Sequence, residues 1–350
     1  MRLNAGRARG AGTLMVSLYT ADDLEINSLN ERDIVQIDRI FREAFSLHVG
    51  HPVPETFAPG RSCMARLLTE PQGAFGAYIS GELVAIAFAT VWGSIGIFGP
   101  LAVKPGHWNA GLGRKLLQQS ITFFKQRAVS DMVLCTFPDS VKHVSLYQKS
   151  GFHPGHLIAM MSRLVTAGPN SGADLELYSS HCFDRRSEIL SECRQITSSV
   201  YEGLDLSKEI EVVEKLSIGE TVLLRKESRL VAFAICHNGA GSETETDVLY
   251  IKFAAALPHE DTHENTIKET NVNTHENANE NFRTLIAKCT FLAQTKMANM
   301  MFFGVNTARH EAYKAVLEEG FKIDSLSLAM QSPNRPLYNH AGVYVLDDWR

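Results

Sequence analysis

Apolar positions follow two rhythms along the first half of the chain. Over residues 30–45, and again over residues 111–125 as Leu112, Leu116, Leu117, Ile121 and Phe124, they return every third or fourth position, which predicts two helices with one buried face each. A shorter helix is expected near residues 61–69. Residues 73–80 and 82–92 are runs of small and β-branched apolar residues meeting at Ser80-Gly81-Glu82, the pattern of a hairpin. A strand over 96–103 leads into the second long helix; a strand over 131–136, a helix over 141–149 and a strand over 156–162 follow. Strands come consecutively at first and alternate with helices later, so an α/β fold with a mixed sheet covered by helices is expected.

The pattern then repeats. Leu83-Val84-Ala85-Ile86-Ala87-Phe88-Ala89 returns as Leu230-Val231-Ala232-Phe233-Ala234-Ile235-Cys236, 147 residues on (83 to 230), and Gly151-Phe152 returns as Gly320-Phe321, 169 residues on (151 to 320). The unequal offsets predict about 22 extra residues in the second copy. Residues 258–281, with Thr-His-Glu-Asn twice, six acids and one base, are the candidate insert and read as a flexible acidic loop. Its histidines His259, His263 and His275 raise a metal site, but a flexible carboxylate-rich loop seldom fixes ligand geometry, and no metal is expected. Residues 166–174, rich in Gly, Asn, Ser and Pro, form the expected linker. The chain thus divides into a flexible lead-in at 1–20, a domain at 21–165, the linker, and a second domain at 175–350.

Composition narrows the class. The 350 residues are 45% hydrophobic and 21% charged, as in folded globular proteins. With 34 basic and 39 acidic residues the net charge is -5, which argues against a nucleic-acid partner. Six cysteines without C-x-x-C spacing read as reduced core thiols of a cytoplasmic protein. No apolar run approaches the roughly 18 residues of a membrane span, so no membrane partner is expected. Arg2, Arg7 and Arg9, with no acid before Asp22, faintly resemble a transit peptide; a frayed terminus is the favoured reading.

The chemistry concentrates in residues 101–117, LAVKPGHWNAGLGRKLL. A strand ends, a small-residue loop follows, and a helix opens at Gly111-Leu112-Gly113, where free N–H groups and the positive end of the helix dipole suit an anion. Arg114 adds a charge suited to a diphosphate, although two glycines at such a junction are also a common turn. A Rossmann site needs a third spaced glycine and a P-loop needs Gly-Lys-Ser or Gly-Lys-Thr, both absent here. The string resembles the acyl-CoA-binding motif of the GNAT (Gcn5-related N-acetyltransferase) superfamily, with Gly111 and Gly113 at its glycine positions. Trp108 stands where that family has Arg or Gln, and Asn109 where it often has Gly. The resemblance implies two GNAT-like domains in tandem, each a mixed, mostly antiparallel sheet flanked by helices. It implies acetyl-CoA as co-substrate, bound by Leu101, Ala102, Val103, Asn109, Ala110, Gly111, Leu112, Gly113, Arg114 and Ser140.

Downstream, Leu146-Tyr147-Gln148-Lys149-Ser150-Gly151-Phe152 is similar to the family's last helix, where a tyrosine protonates the leaving thiolate. Tyr147 is therefore the candidate catalytic residue, with core packing as the other reading. Asp139 or Ser140 could cap that helix, and His143 lies one turn before Tyr147. The second copy keeps the apolar face Leu285, Ile286, Cys289, Leu292 but has no glycine between Gly241 and Gly304, and Val316 stands at the position of Tyr147. Asn306-Thr307-Ala308-Arg309-His310 reads as a helix cap or a substrate contact across the repeats; residues 343–350 alternate like a strand with no role assigned to Trp349 or its acids. The implied protein is an acyltransferase with an active first and a degenerate second repeat. It would move an acetyl or short acyl group to an amine on a small molecule or peptide, as a monomer or homodimer. The rival is a non-catalytic CoA-binding scaffold. His48, His51 and Glu55 are the candidates for a base.

Overall fold

A computed structural model describes residues 23–166, 174–257 and 270–350, with side chains from 277 in the last stretch. The lead-in at 1–20 and most of the expected linker lie outside the described residues. The first repeat runs β1 (Leu24–Ser28), α1 (Ile34–His48), α2 (Met64–Thr69), β2 (Ala74–Ile79), β3 (Glu82–Trp92), β4 (Ile95–Val103), α3 (Leu112–Gln126), β5 (Asp131–Thr136), α4 (Val141–Gln148) and β6 (His153–Leu164). The second has the same order: β7 (Glu176–Leu177), α5 (Phe183–Val200), α6 (Ser207–Leu216), β8 (Gly219–Lys226), β9 (Arg229–His237), β10 (Val248–Ala256), α7 (Thr270–Thr295), β11 (Met300–Asn306), α8 (His310–Glu318) and β12 (Lys322–Ser332). One further strand, β13 (Tyr344–Asp347), ends it. The repeated apolar runs become β3 and β9, buried almost throughout because helices cover both faces of the sheet there.

All thirteen strands of the described residues join one sheet, in the order β1-β2-β3-β4-β5-β12-β6-β11-β10-β9-β8-β7, with β13 beside β10. The last strands of the repeats are exchanged. β12 lies antiparallel to β5, with Leu328 opposite Thr136 and Met330 opposite Leu134, while β6 lies antiparallel to β11 from Leu164 opposite Met300 to Ile158 opposite Asn306. Each repeat's sheet is therefore completed by the other repeat. Side chains reinforce the seam: Arg66 of α2 pairs with Glu243 at 2.5 Å, and the Trp92 indole N–H of β3 donates to Glu209 of α6 at 2.8 Å, while Lys252 of β10 pairs with both carboxylates from within the second repeat. Asp131 of β5 receives Arg335 at 2.5 Å and the Tyr201 hydroxyl at 2.8 Å.

The insert differs from expectation. Residues 258–269 lie outside the described residues, but α7 begins at Thr270, so the expected loop is helical from there to Asn281. Its end is anchored: Ala278 and Asn281 are buried, and the Asn281 amide donates to the Leu257 carbonyl at 2.8 Å. Sequence composition missed this because a polar run extending an amphipathic helix needs only a few core residues to be held. The connection from β9 to β10 also takes ten residues where β3 to β4 takes two, so the added length is not all in one place. That longer connection reaches the first repeat, where Gly241 N–H donates to the Gly60 carbonyl and Ser62 N–H to the Ser242 carbonyl, each at 2.8 Å.

Candidate active site

The first repeat opens where two parallel strands part. β4 and β5 pair only from Ile95 opposite Asp131 to Ile97 opposite Val133, after which β5 stays with β12 and β4 with β3. In β4 the register with β3 jumps between Phe98 and Leu101, leaving Gly99 and Pro100 as a bulge; Gly99 has φ of 143°, a conformation that favours glycine. The gap is the base of a cleft of about 1250 Å³.

At one end stands the loop before α3. Asn109 and Gly111 both take positive φ, 66° and 80°, turning the chain into α3, whose first residues line the cleft. Gly111 is the cap residue and no side chain bonds the first N–H groups of α3. A Cβ on Gly111 would meet nothing, and one on Gly113 would make only ordinary contacts with Leu101 and Leu146. Protein packing does not require these glycines to lack side chains; the space above them is left open, as a diphosphate cradle requires. Trp108 clips the loop to the strand, its indole N–H donating to the Val103 carbonyl at 2.7 Å. The Lys142 ammonium lies 5.6 Å from the Trp108 ring centre. A cation thus reaches by way of α4 the place where the sequence puts tryptophan.

Nine of the residues expected to hold the co-substrate line the cleft: Leu101, Ala102, Val103, Asn109, Gly111, Leu112, Gly113, Arg114 and Ser140. Ala110 does not. Ser140 opens α4 without a side-chain cap bond, and Asp139 supplies none, so neither caps the helix as the sequence suggested. Tyr147 is buried between Phe98 and Phe152, both edge-to-face at 6.2 and 6.3 Å, yet it lines the cleft and its hydroxyl has no hydrogen-bond partner among the described residues. Burial pushes its pKa well above the usual value. His143 and His48 also line the cleft, ring centres 5.1 Å apart, and burial together with His48 and Lys142 lowers the His143 pKa. His51, hydrogen-bonded to Thr56, and Glu55 do not line it. No Asp or Glu does. Burial raises the Cys135 thiol there to about 12, so it is no thiolate nucleophile at neutral pH.

The second repeat lends side chains that sequence reading did not connect to the site. Phe302 of β11, Ser325 and Ser327 of β12, and Arg350 line the same cleft, as do Arg61 and Arg66. Strand exchange brings them there, and their local sequence carries no signal of it. Lys142, two residues from Ser140, was not singled out in the sequence either; its contact with Trp108 is what brings it to the loop. Among the described residues no cluster of His, Cys, Asp or Glu could hold a metal; the side chains of His259, His263 and His275 lie outside them. No helix among them is long and apolar enough to cross a membrane.

In the second repeat the corresponding gap is filled. β10 and β11 pair from Val248 opposite Met300 to Ile251 opposite Phe303, and from Phe253 to Ala256 the edge of β10 is taken by β13. A Cβ on Gly304 would lie 2.3 Å from Asp348 Cβ, so the chain end occupies the space directly. Arg309 holds the strand in: fully buried, it donates to Asn339 Oδ1 at 2.7 Å, the Val345 carbonyl at 3.0 Å and Asp347 at 2.9 Å. Arg309 stands at the N-cap position of α8 but makes no side-chain cap bond; Asn306 shapes the turn, accepting from Ala308 N–H at 3.0 Å. Trp349 and Asp347 meet the Tyr338 hydroxyl in the same buried cluster.

One open cleft and one filled copy of it lie on a single exchanged sheet, which makes the fold a tandem α/β one. Residues 34–152, the body of the first repeat and about a third of the chain, match the model of the acetyltransferase (GNAT) family. A protein from Pyrococcus horikoshii described as an acetyltransferase is similar over 95% of this chain and 97% of its own, at 14% identity and a TM-score of 0.62. A GCN5-related N-acetyltransferase from Sphaerobacter thermophilus covers 90% and 96%, at 11% and 0.53. A tandem GNAT protein from the clavulanic acid biosynthesis pathway covers 88% and 98%, at 10% and 0.50. These likenesses concern the fold, and they span both repeats. No curated protein sequence is detectably similar to the chain.

Proposed function

We propose that the protein transfers an acetyl or other short acyl group from acyl-CoA to an amine on a small molecule or peptide, by direct attack in a ternary complex. The supporting observation is that the uncapped start of α3, with open space above Gly111 and Gly113, faces the same cleft as the unpartnered Tyr147 hydroxyl. Acyl-CoA supplies the activated thioester. The N–H groups from Leu112 to Arg114, with the Arg114 and Lys142 side chains, receive the diphosphate, and the free edge of β4 beyond the bulge lies along the pantetheine arm. Holding both reactants in the cleft accounts for most of the rate, up to roughly 7–11 kcal/mol by effective molarity.

Tyr147 serves the departing sulfur. Its raised pKa keeps it protonated at any physiological pH. A phenol weaker than a thiol of pKa about 8.5 transfers its proton uphill, so its contribution is mainly a hydrogen bond to the developing thiolate. An alkyl amine of pKa near 10 must shed a proton, at about 4 kcal/mol near neutral pH. His143, held neutral, and its neighbour His48 are acceptors for that proton, directly or through water. The test is CoA release over a panel of amines beside a calorimetric CoA titration. CoA binding with no turnover on any amine would instead support a scaffold.

A further inference from the structure

At the inner end of the cleft, away from the cradle, the charges do not balance. Arg66 is matched by Glu243 and the Gly99 carbonyl, Lys252 by Glu209 and Glu243, and Arg350 by Asp348 at 2.6 Å. Arg61 is the cation left over. It lines the cleft, its guanidinium stacks 4.7 Å above the Phe41 ring, and among the described residues it has no ion-pair partner. Its own carbonyl is fixed by Arg42 at 2.7 Å. Burial, then repulsion from Arg350, lowers its pKa to about 10, so the charge is held in an environment that disfavours it. Glu243, the carboxylate whose charge acts on Arg61, is already bonded to Arg66 and Lys252, and Asp139 and Asp324 line the adjoining cavity instead.

We propose that Arg61 binds a carboxylate carried by the acceptor amine. A guanidinium presents a planar fork that takes a carboxylate through two parallel hydrogen bonds, and stacking on Phe41 fixes its plane before the ligand arrives. Phe41, Phe45, Phe57 and Phe302 supply an apolar wall for the rest of the molecule. The acceptor class is thus an amine with a carboxylate and an apolar body, such as a free amino acid or a short peptide. This rests on the acyl-transfer reading for the word acceptor, but the anion subsite can be measured without turnover.

The experiment titrates carboxylates from acetate to 3-phenylpropionate, and the matching amides, into the full chain with CoA present. Carboxylates should bind at least tenfold more tightly than their amides. Arg61→Gln should remove that difference with melting temperature and CoA affinity kept, and Arg61→Lys, which keeps the charge and loses the fork, should fall between. Equal binding of the amides, no binding of any carboxylate, or an unchanged preference in the Gln variant overturns the proposal. In the transfer assay, amino acids and dipeptides set against their decarboxylated amines separate the two sources. Carboxylate binding without transfer to any of them would sink the acyl-transfer reading and leave the subsite standing.

Discussion

The two repeats part the same pair of strands and then do opposite things with the gap. In the second, β13 occupies the freed edge of β10, with Arg309, Tyr338 and Trp349 packed behind it. In the first, the edge of β4 past Gly99 faces a cleft, and the helix that follows begins without a cap. Backbone N–H and C=O groups at a splayed edge require partners. The second repeat satisfies them permanently from its own chain, whereas the first leaves them facing the cleft. The degenerate copy is thereby more than a lost motif. It is a filled gap whose last residue, Arg350, lines the open cleft of the first repeat.

Breaking the plug should have the largest effect. Arg309→Ala removes every hydrogen bond described for that side chain and leaves Asp347 buried and unpaired, at a cost of about 3–5 kcal/mol seen in urea denaturation. CoA should still bind at one site per chain, because the second repeat has no cradle to expose; two sites would break the comparison. Closing the open copy comes next. Gly111→Asp places a carboxylate beside the cradle and an L-residue at φ of 80°, so calorimetry should find CoA affinity lower by about 100-fold, roughly 2.7 kcal/mol. Full affinity would mean that Gly111 is only a turn residue.

Tyr147→Phe keeps the edge-to-face packing and deletes the donor, so turnover should fall about 10- to 100-fold at saturating acyl-CoA, with CoA affinity retained. Activity at the wild-type level, once chemistry is shown to be rate-limiting, would return Tyr147 to the core. The smallest effect concerns pH. His237, buried with its Nε2 unpartnered, has its pKa lowered to about 3, below the value near 6.5 of an unfolded chain. Its contribution to stability is therefore complete above pH 6.5 and lost as pH falls toward 3, at no more than about 1.4 kcal/mol per pH unit. Glu243 acts in the same sense, since Arg66 and Lys252 outweigh burial and hold its carboxylate well below the usual range. Melting temperature followed across that window should decline, and His237→Gln should flatten the decline; an identical slope in the variant would remove His237 from it.

Much of the fold was legible because it depends on local periodicity. The hairpin of β2 and β3, the helix α3 and its glycine-rich start, and the helix carrying Tyr147 all fall within a residue or two of where apolar spacing put them. The second repeat was legible through the echo of β3 in β9, but α5 was not, because it shows a weaker separation of polar and apolar faces than α1; α6 was missed although its faces separate nearly as clearly as those of α1. The candidate site divides along the same line. Gly111, Gly113, Arg114 and Tyr147 lie on one stretch of chain with readable spacing, whereas Lys142 acquires its place by standing over Trp108, Arg61 by stacking on Phe41, and Phe302 and Arg350 by the joining of the two repeats in one sheet.

By itself the sequence determined the repeat, the strand and helix periods, and the cradle motif, since each is set by bonds and contacts among residues near in the chain. Which repeat supplies the last strand to which sheet, that the second gap is filled by residues 344–347, and which cation remains unpaired were decided by tertiary structure. Those outcomes depend on which of several compatible edges and charges meet across more than a hundred residues, and no local pattern encodes that choice.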